Sequence, residues 1–142
     1  MKVGVAKHVS EVLRANGMLE TVTVHLAYDM DCDGKEAAGI ALAGGLRANA
    51  GLRNFTFDVT GDMPEAAWVA LAAALRVNTS LECLQLVVAG DMTEAAIVAF
   101  GNALQVNSTL QTFRLELLGC YLPSAAAAAF AAAFRTLSLI HI

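Results

Sequence analysis

Four short stretches of the chain repeat one another: LRANGML, LRANAGL, LRVNTSL and LQVNSTL, beginning at Leu13, Leu46, Leu75 and Leu104. They are spaced by 33, 29 and 29 residues, and a fifth, weaker copy begins at Phe134, 30 residues further on. This period constrains the fold more than composition does. A unit of about 30 residues cannot bury its own apolar face and has to stack on its neighbours.

Two patterns alternate within each period. Ahead of the anchor, apolar or small residues recur at minus seven, minus four and zero, which is one face of a helix. Trp68, Leu71 and Leu75 show it, as do Ile97, Phe100 and Leu104, then Ala127, Phe130 and Phe134. The positions between are mostly Ala, joined by Gly44 and Gly45, so neighbouring layers can approach closely while helix propensity stays high. Pro64, Thr93 and Ser124 are suitable helix initiators, and Glu65 and Glu94 suit the positive end of a helix dipole. Each helical body closes near Asn16, Asn49, Asn78 or Asn107. Asn tolerates the left-handed conformation that stops a helix, and its amide can satisfy backbone groups in the turn.

After each turn the chain alternates strictly: Val22, Val24, Leu26; Phe55, Phe57, Val59; Leu84, Leu86, Val88; Phe113, Leu115, Leu117. A period of two is a half-buried strand. The expected fold is an α/β solenoid, a short horseshoe with parallel strands on the concave side and helices on the convex side.

The segment LRVNTSLECLQL, followed by EAAIVAFGNALQVNSTLQTFRL, resembles the ribonuclease-inhibitor type of leucine-rich repeat. That pattern couples LxxLxL strands to a helix ending in a Leu-x-x-Asn turn, and the resemblance runs from Val3 to about Thr136. It implies about four repeats over residues 1–136 and a protein-binding horseshoe. One feature departs from the family. The Asn expected eight residues after the first strand Leu is replaced by Ala27, Thr60, Ala89 and Leu118. The family's ladder of buried Asn side chains is therefore expected to be missing, with GDM turns at residues 61–63 and 90–92 in its place.

Composition narrows the function. One domain is expected for 142 residues, of which 57% are hydrophobic and 15% charged, with net charge -4. No Lys/Arg cluster appears, so nucleic acid is a poor partner. Cys32, Cys83 and Cys120 lie far apart with no CxxC, which argues against zinc and against a disulfide framework. The opening MKVGVAKHVSEVLRANG is interrupted by Lys7 and His8 and does not make a signal peptide, so a cytoplasmic address is expected. Residues 117–134 carry no charge but are Ala-rich and divided at Pro123 and Ser124, which fits a packing helix of the repeat better than a membrane span.

Alternate strand residues point away from the helices, onto the inner face. They are Thr21, Thr23 and His25; Asn54, Thr56 and Asp58; Cys83, Gln85 and Val87; Thr112, Arg114 and Glu116. The partner-binding candidates are Thr23, His25, Thr56, Asp58, Gln85, Val87, Arg114 and Glu116, although any one of them alone is more simply a solvated side chain. His25 has no second ligand at metal spacing, and neither a GxSxG elbow nor a GxxxxGK[ST] loop is present. No enzyme, cofactor or metal is expected; the partner is a protein. The alternative is a regulator of an enzyme, which would want an exposed Arg in a strand-to-helix loop. Those loops are expected to offer Asp29, Asp62, Asp91 and Lys35, but no Arg.

DMDCDGKE, residues 29–36, opens like an EF-hand calcium loop, with Asp29, Asp31 and Asp33 at the first ligand positions and Gly34 at the turn. The twelfth position, which should be Glu, is Ile40. Aligned with the repeats, DM-DCDGK-EAA is DM-P-EAA and DM-T-EAA with four additional residues. An acidic insertion on the loop rim is expected rather than a calcium site.

The last six residues, LSLIHI, are what CTG TCT CTT ATA CAC ATC encodes, which resembles a transposase adapter from sequencing libraries. Residues 137–142 are therefore expected to be a non-native tail on an interior slice of a longer solenoid. The last helix would then lack its next strand, leaving a strand edge uncovered. The mean hydropathy of +0.58 fits a chain that aggregates or is marginally stable in isolation.

Overall fold

The computed structural model describes residues 3–27, 31–90, 92–118, 128 and 139–141. Helix and strand alternate along the chain: α1 (Val3–Ala15), β1 (Thr21–Leu26), α2 (Cys32–Ala48), β2 (Asn54–Thr60), α3 (Glu65–Val77), β3 (Cys83–Ala89), α4 (Glu94–Val106), β4 (Thr112–Leu117) and β5 (Leu139–His141). The strands form one open parallel sheet in chain order. Helix α1 packs on α2, α2 on α3 and α3 on α4. Strands sit about 4.8 Å apart whereas helices need 8–10 Å, so the stack curves with the sheet inside and the helices outside.

The expected alternation is what is buried. Phe55, Phe57 and Val59, Leu84, Leu86 and Val88, and Phe113 and Leu115 lie under the sheet against Leu42, Leu46, Trp68, Leu71, Leu75, Ile97, Phe100 and Leu104. Phe55 pairs in register with Leu84, and Leu84 with Phe113. Trp68 stands edge-on between Phe57 and Phe100 at centroid distances of 6.0 and 6.1 Å. Its buried indole N–H has no hydrogen-bond partner among the described residues.

A ladder of buried Asn side chains that was not expected stands at the turn before each strand, distinct from the family's ladder after it, whose positions here hold Ala27, Thr60, Ala89 and Leu118. Asn49, Asn78 and Asn107 are buried. The Asn78 amide donates to the carbonyls of Leu46 at 2.7 Å and Asn49 at 3.3 Å, while its oxygen accepts from the N–H of Ser80 at 3.0 Å and Leu81 at 2.8 Å. Asn49 makes the same four bonds with Leu13, Asn16, Gly51 and Leu52, and Asn107 with Leu75, Asn78, Thr109 and Leu110. Two donors and two acceptor positions saturate a carboxamide, and each side chain ties its own turn to the preceding repeat. These Asn residues are not left-handed as expected. Their φ values of -81°, -69° and -66° with ψ near 130° are extended, because the side chain rather than the backbone makes the turn. Among the described residues only Gly61 has positive φ, at 84°.

The acidic insertion is not a loop. Helix α2 has 17 residues where α3 and α4 have 13, so the four additional residues are one more helical turn. Asp31 caps it, accepting from the Gly34 N–H at 2.6 Å. Lys35, expected in a strand-to-helix loop, lies within α2, and only 3% of it is exposed. Its ammonium donates to the Thr60 carbonyl at 2.9 Å. Asp31 is a favoured N-cap residue, so the insertion opens the helix instead of looping out.

Part of the β4 edge, Thr112 to Arg114, is paired, although an uncovered edge was expected. Leu139–His141 pairs parallel to it, with Phe113 opposite Ile140 and Arg114 opposite His141. Leu and Ile suit a strand next to an exposed edge whatever their origin. Most of the uncharged 117–134 stretch, with Cys120, Ser124 and the fifth anchor Phe134, lies outside the described residues. No described helix is long and apolar enough to cross a membrane.

Candidate protein-binding face

Parallel pairing without register slips lines the outward strand residues into rows. Thr21, Asn54, Cys83 and Thr112 form the first; Thr23, Thr56, Gln85 and Arg114 the second; His25, Asp58, Val87 and Glu116 the third. All eight candidate residues lie on this face and all are exposed or half-buried. The bonds Arg53 and Asn54 N–H to the Glu20 carbonyl, Glu82 and Cys83 to Arg53, and Gln111 and Thr112 to Glu82 fix where each strand begins. Each row therefore starts from a backbone held in place.

The charges on the face compensate one another. His25 Nδ1 lies 3.1 Å from Asp58 Oδ2 across the β1–β2 pair, and Arg114 Nη2 lies 2.6 Å from Glu116 Oε1 along β4. Half-exposed pairs of this kind add about 0–1 kcal/mol to stability. Between them Val87 is flanked by Asp58 and Glu116, an apolar side chain among polar neighbours.

Two neighbouring features were not singled out from the sequence. Thr60 and Ala89 are half-buried and paired in register, extending the face by part of a fourth row. Along the rim where helices lead into strands runs a cleft of about 390 Å³ lined by residues including Gly17, Met18, Glu20, Arg53, Ser80 and Glu82. Arg53 and Glu82 pair across it at 3.8 Å, and Met18 is 88% exposed at one end. The available signal was the position just before each strand, which is Glu20, Arg53, Glu82 and Gln111.

For calcium, the chain entering residues 29–36 is strand β1 where an EF-hand has a helix. One Asp31 oxygen is occupied as a helix cap. Asp29 lies outside the described residues.

No protein-family model matches the sequence, and no curated protein matches it. Among solved structures, the chain is similar to one described as leiomodin-1 actin-binding site 2, with a TM-score of 0.74 over 94% of this chain and 76% of that one. The fold is a leucine-rich-repeat solenoid. At 16% identity the likeness extends to the fold alone. By its description the leiomodin-1 domain is an actin-binding site.

Proposed function

We propose that this solenoid is a non-catalytic protein-binding module of the ribonuclease-inhibitor type that engages its partner through the exposed face of the sheet. The observation that carries the reading is the set of three side-chain rows, held in register by hydrogen bonds between repeats. A preorganised surface loses little conformational freedom on binding, so modest contacts suffice for useful affinity. The half-buried free thiol of Cys83 on this face fits the cytoplasmic address expected from the N-terminal sequence, since free thiols persist in reducing compartments.

Actin is the first partner to test, because the structurally similar leiomodin-1 domain is described as binding it. Titration calorimetry with monomeric actin is expected to give saturable binding. Arg114→Ala, Asp58→Ala and Val87→Asp should each weaken it roughly tenfold, the loss of one hot-spot contact. Ala95→Ser, on the outer side of α4, should leave it unchanged. Loss of binding from helix-side changes alone would refute the choice of face.

A further inference from the structure

The outer surface of the helix layer is a second organised face. Equivalent positions along α2, α3 and α4 read Ala37, Ala66, Ala95; Ile40, Val69, Val98; and Gly44, Ala73, Asn102, and all are exposed or half-buried. No charged residue lies between Glu36 and Arg47 in α2, or between Glu65 and Arg76 in α3. Ile40 is 46% exposed and Val69 42%. Between α2 and α3 runs an apolar groove of about 240 Å³ lined by residues including Ile40, Gly44, Arg47, Ala70 and Ala73. Helix α1 bounds the face, with exposed Lys7 and Glu11 at the corresponding positions and the Arg14 guanidinium lying against Gly44.

The charges sit at the two ends of this apolar band and differ in sign. Glu36, Glu65 and Glu94 form a row at the helix N-terminal end; Arg47 and Arg76 form one at the C-terminal end. None of the five makes an ion pair among the described residues. Their arrangement selects one kind of occupant. A two-fold axis lying in the plane of the face and perpendicular to the helices turns the acidic row of a second copy onto the basic row of the first. It also keeps each helix opposite its own equivalent. Glu65 then meets the second copy's Arg76, Glu36 meets its Arg47, and symmetry doubles both contacts. An axis parallel to the helices would set Glu against Glu.

We infer that a second copy of this chain docks on the helix layer, giving an antiparallel, face-to-face homodimer centred on α3. The area is adequate. Helices of 13 residues are about 20 Å long, and three at about 10 Å spacing make a face of roughly 600 Å² per partner, the low end of specific interfaces. The two strand faces point apart in this dimer, so it is bivalent, but the inference does not depend on what the strand face binds.

Sedimentation equilibrium on the full chain from roughly 1 to 300 µM, the range in which a small interface associates, is expected to show a monomer–dimer equilibrium. Val69→Asp, at an exposed position, should abolish the dimer. Arg76→Glu alone should weaken it about tenfold or more by setting like charges together at both ends. The double swap Glu65→Arg with Arg76→Glu should restore it to within about threefold, because both symmetric contacts become complementary again. Circular dichroism checks that each variant is folded, and should Val69→Asp unfold the chain, the charge variants decide alone. Four results overturn the proposal: a monomer throughout, including one that floats with phosphatidylcholine vesicles; a higher oligomer; a dimer indifferent to Val69→Asp while folded or to Arg76→Glu; or a double swap that does not restore association.

Discussion

At the rim where helices lead into strands, the interior repeats place a buried Asn whose carboxamide makes at least four hydrogen bonds, two of them to the previous repeat. At the opposite rim, where strands lead into helices, the caps are local. Asp31 and Thr93 each accept from an N–H three residues ahead, and Pro64 makes no side-chain cap bond. The first rim joins repeats to one another; the second mostly finishes individual helices. That difference explains where the chain absorbs irregularity. Four additional residues became a turn of α2 at the second rim, and the register of β1, β2 and β3 stayed unbroken.

Substitutions at the two rims should therefore separate by size. Asn78→Ala removes a ladder member with bonded neighbours on both sides and leaves buried backbone donors and acceptors unpaired. It should cost about 3–4 kcal/mol in urea unfolding. Lys35→Met tests a long-range side-chain tie at the second rim, the ammonium bond to the Thr60 carbonyl. Since Met keeps the volume of the stem, a loss of about 1–2 kcal/mol is expected. Asn16→Ala provides the smallest effect. Asn16 occupies the same repeat position as Asn78, but its side chain makes a single exposed bond, to the Met18 N–H at 2.8 Å. Its loss should cost under about 0.5 kcal/mol. If Asn16→Ala matched Asn78→Ala, the effect would belong to the residue type and not to the ladder.

Much of the fold was legible because the repeat states it several times. Anchors at Leu46, Leu75 and Leu104 phase the helices, and alternation through Phe55, Phe57 and Val59 gives the strands and their outward face. The ladder was harder to see. Asn49, Asn78 and Asn107 were visible as turn formers, but an Asn ladder was sought after the strand, and only geometry between repeats distinguishes a local turn from a link to the neighbour. Asp31 and Lys35 misled for a related reason. Acidic residues around a Gly suggest a loop, whereas the Asp31 cap and the apolar Lys35 stem suit a helix start that conceals a charge. The binding candidates were legible as a face, since alternation specifies orientation. Their pairing into His25–Asp58 and Arg114–Glu116 depended on side-chain conformation, which spacing does not determine.

The most direct test that the helix-to-strand rim locks the repeats together is native-state hydrogen exchange at single amides. The N–H groups of Leu52, Leu81 and Leu110, which donate to the Asn carboxamide oxygens, should exchange only through global unfolding. Those of Gly34 and Ala96, which donate to the Asp31 and Thr93 caps, should exchange faster through local opening. Ladder amides exchanging as fast as cap amides would contradict a register held by the buried Asn residues.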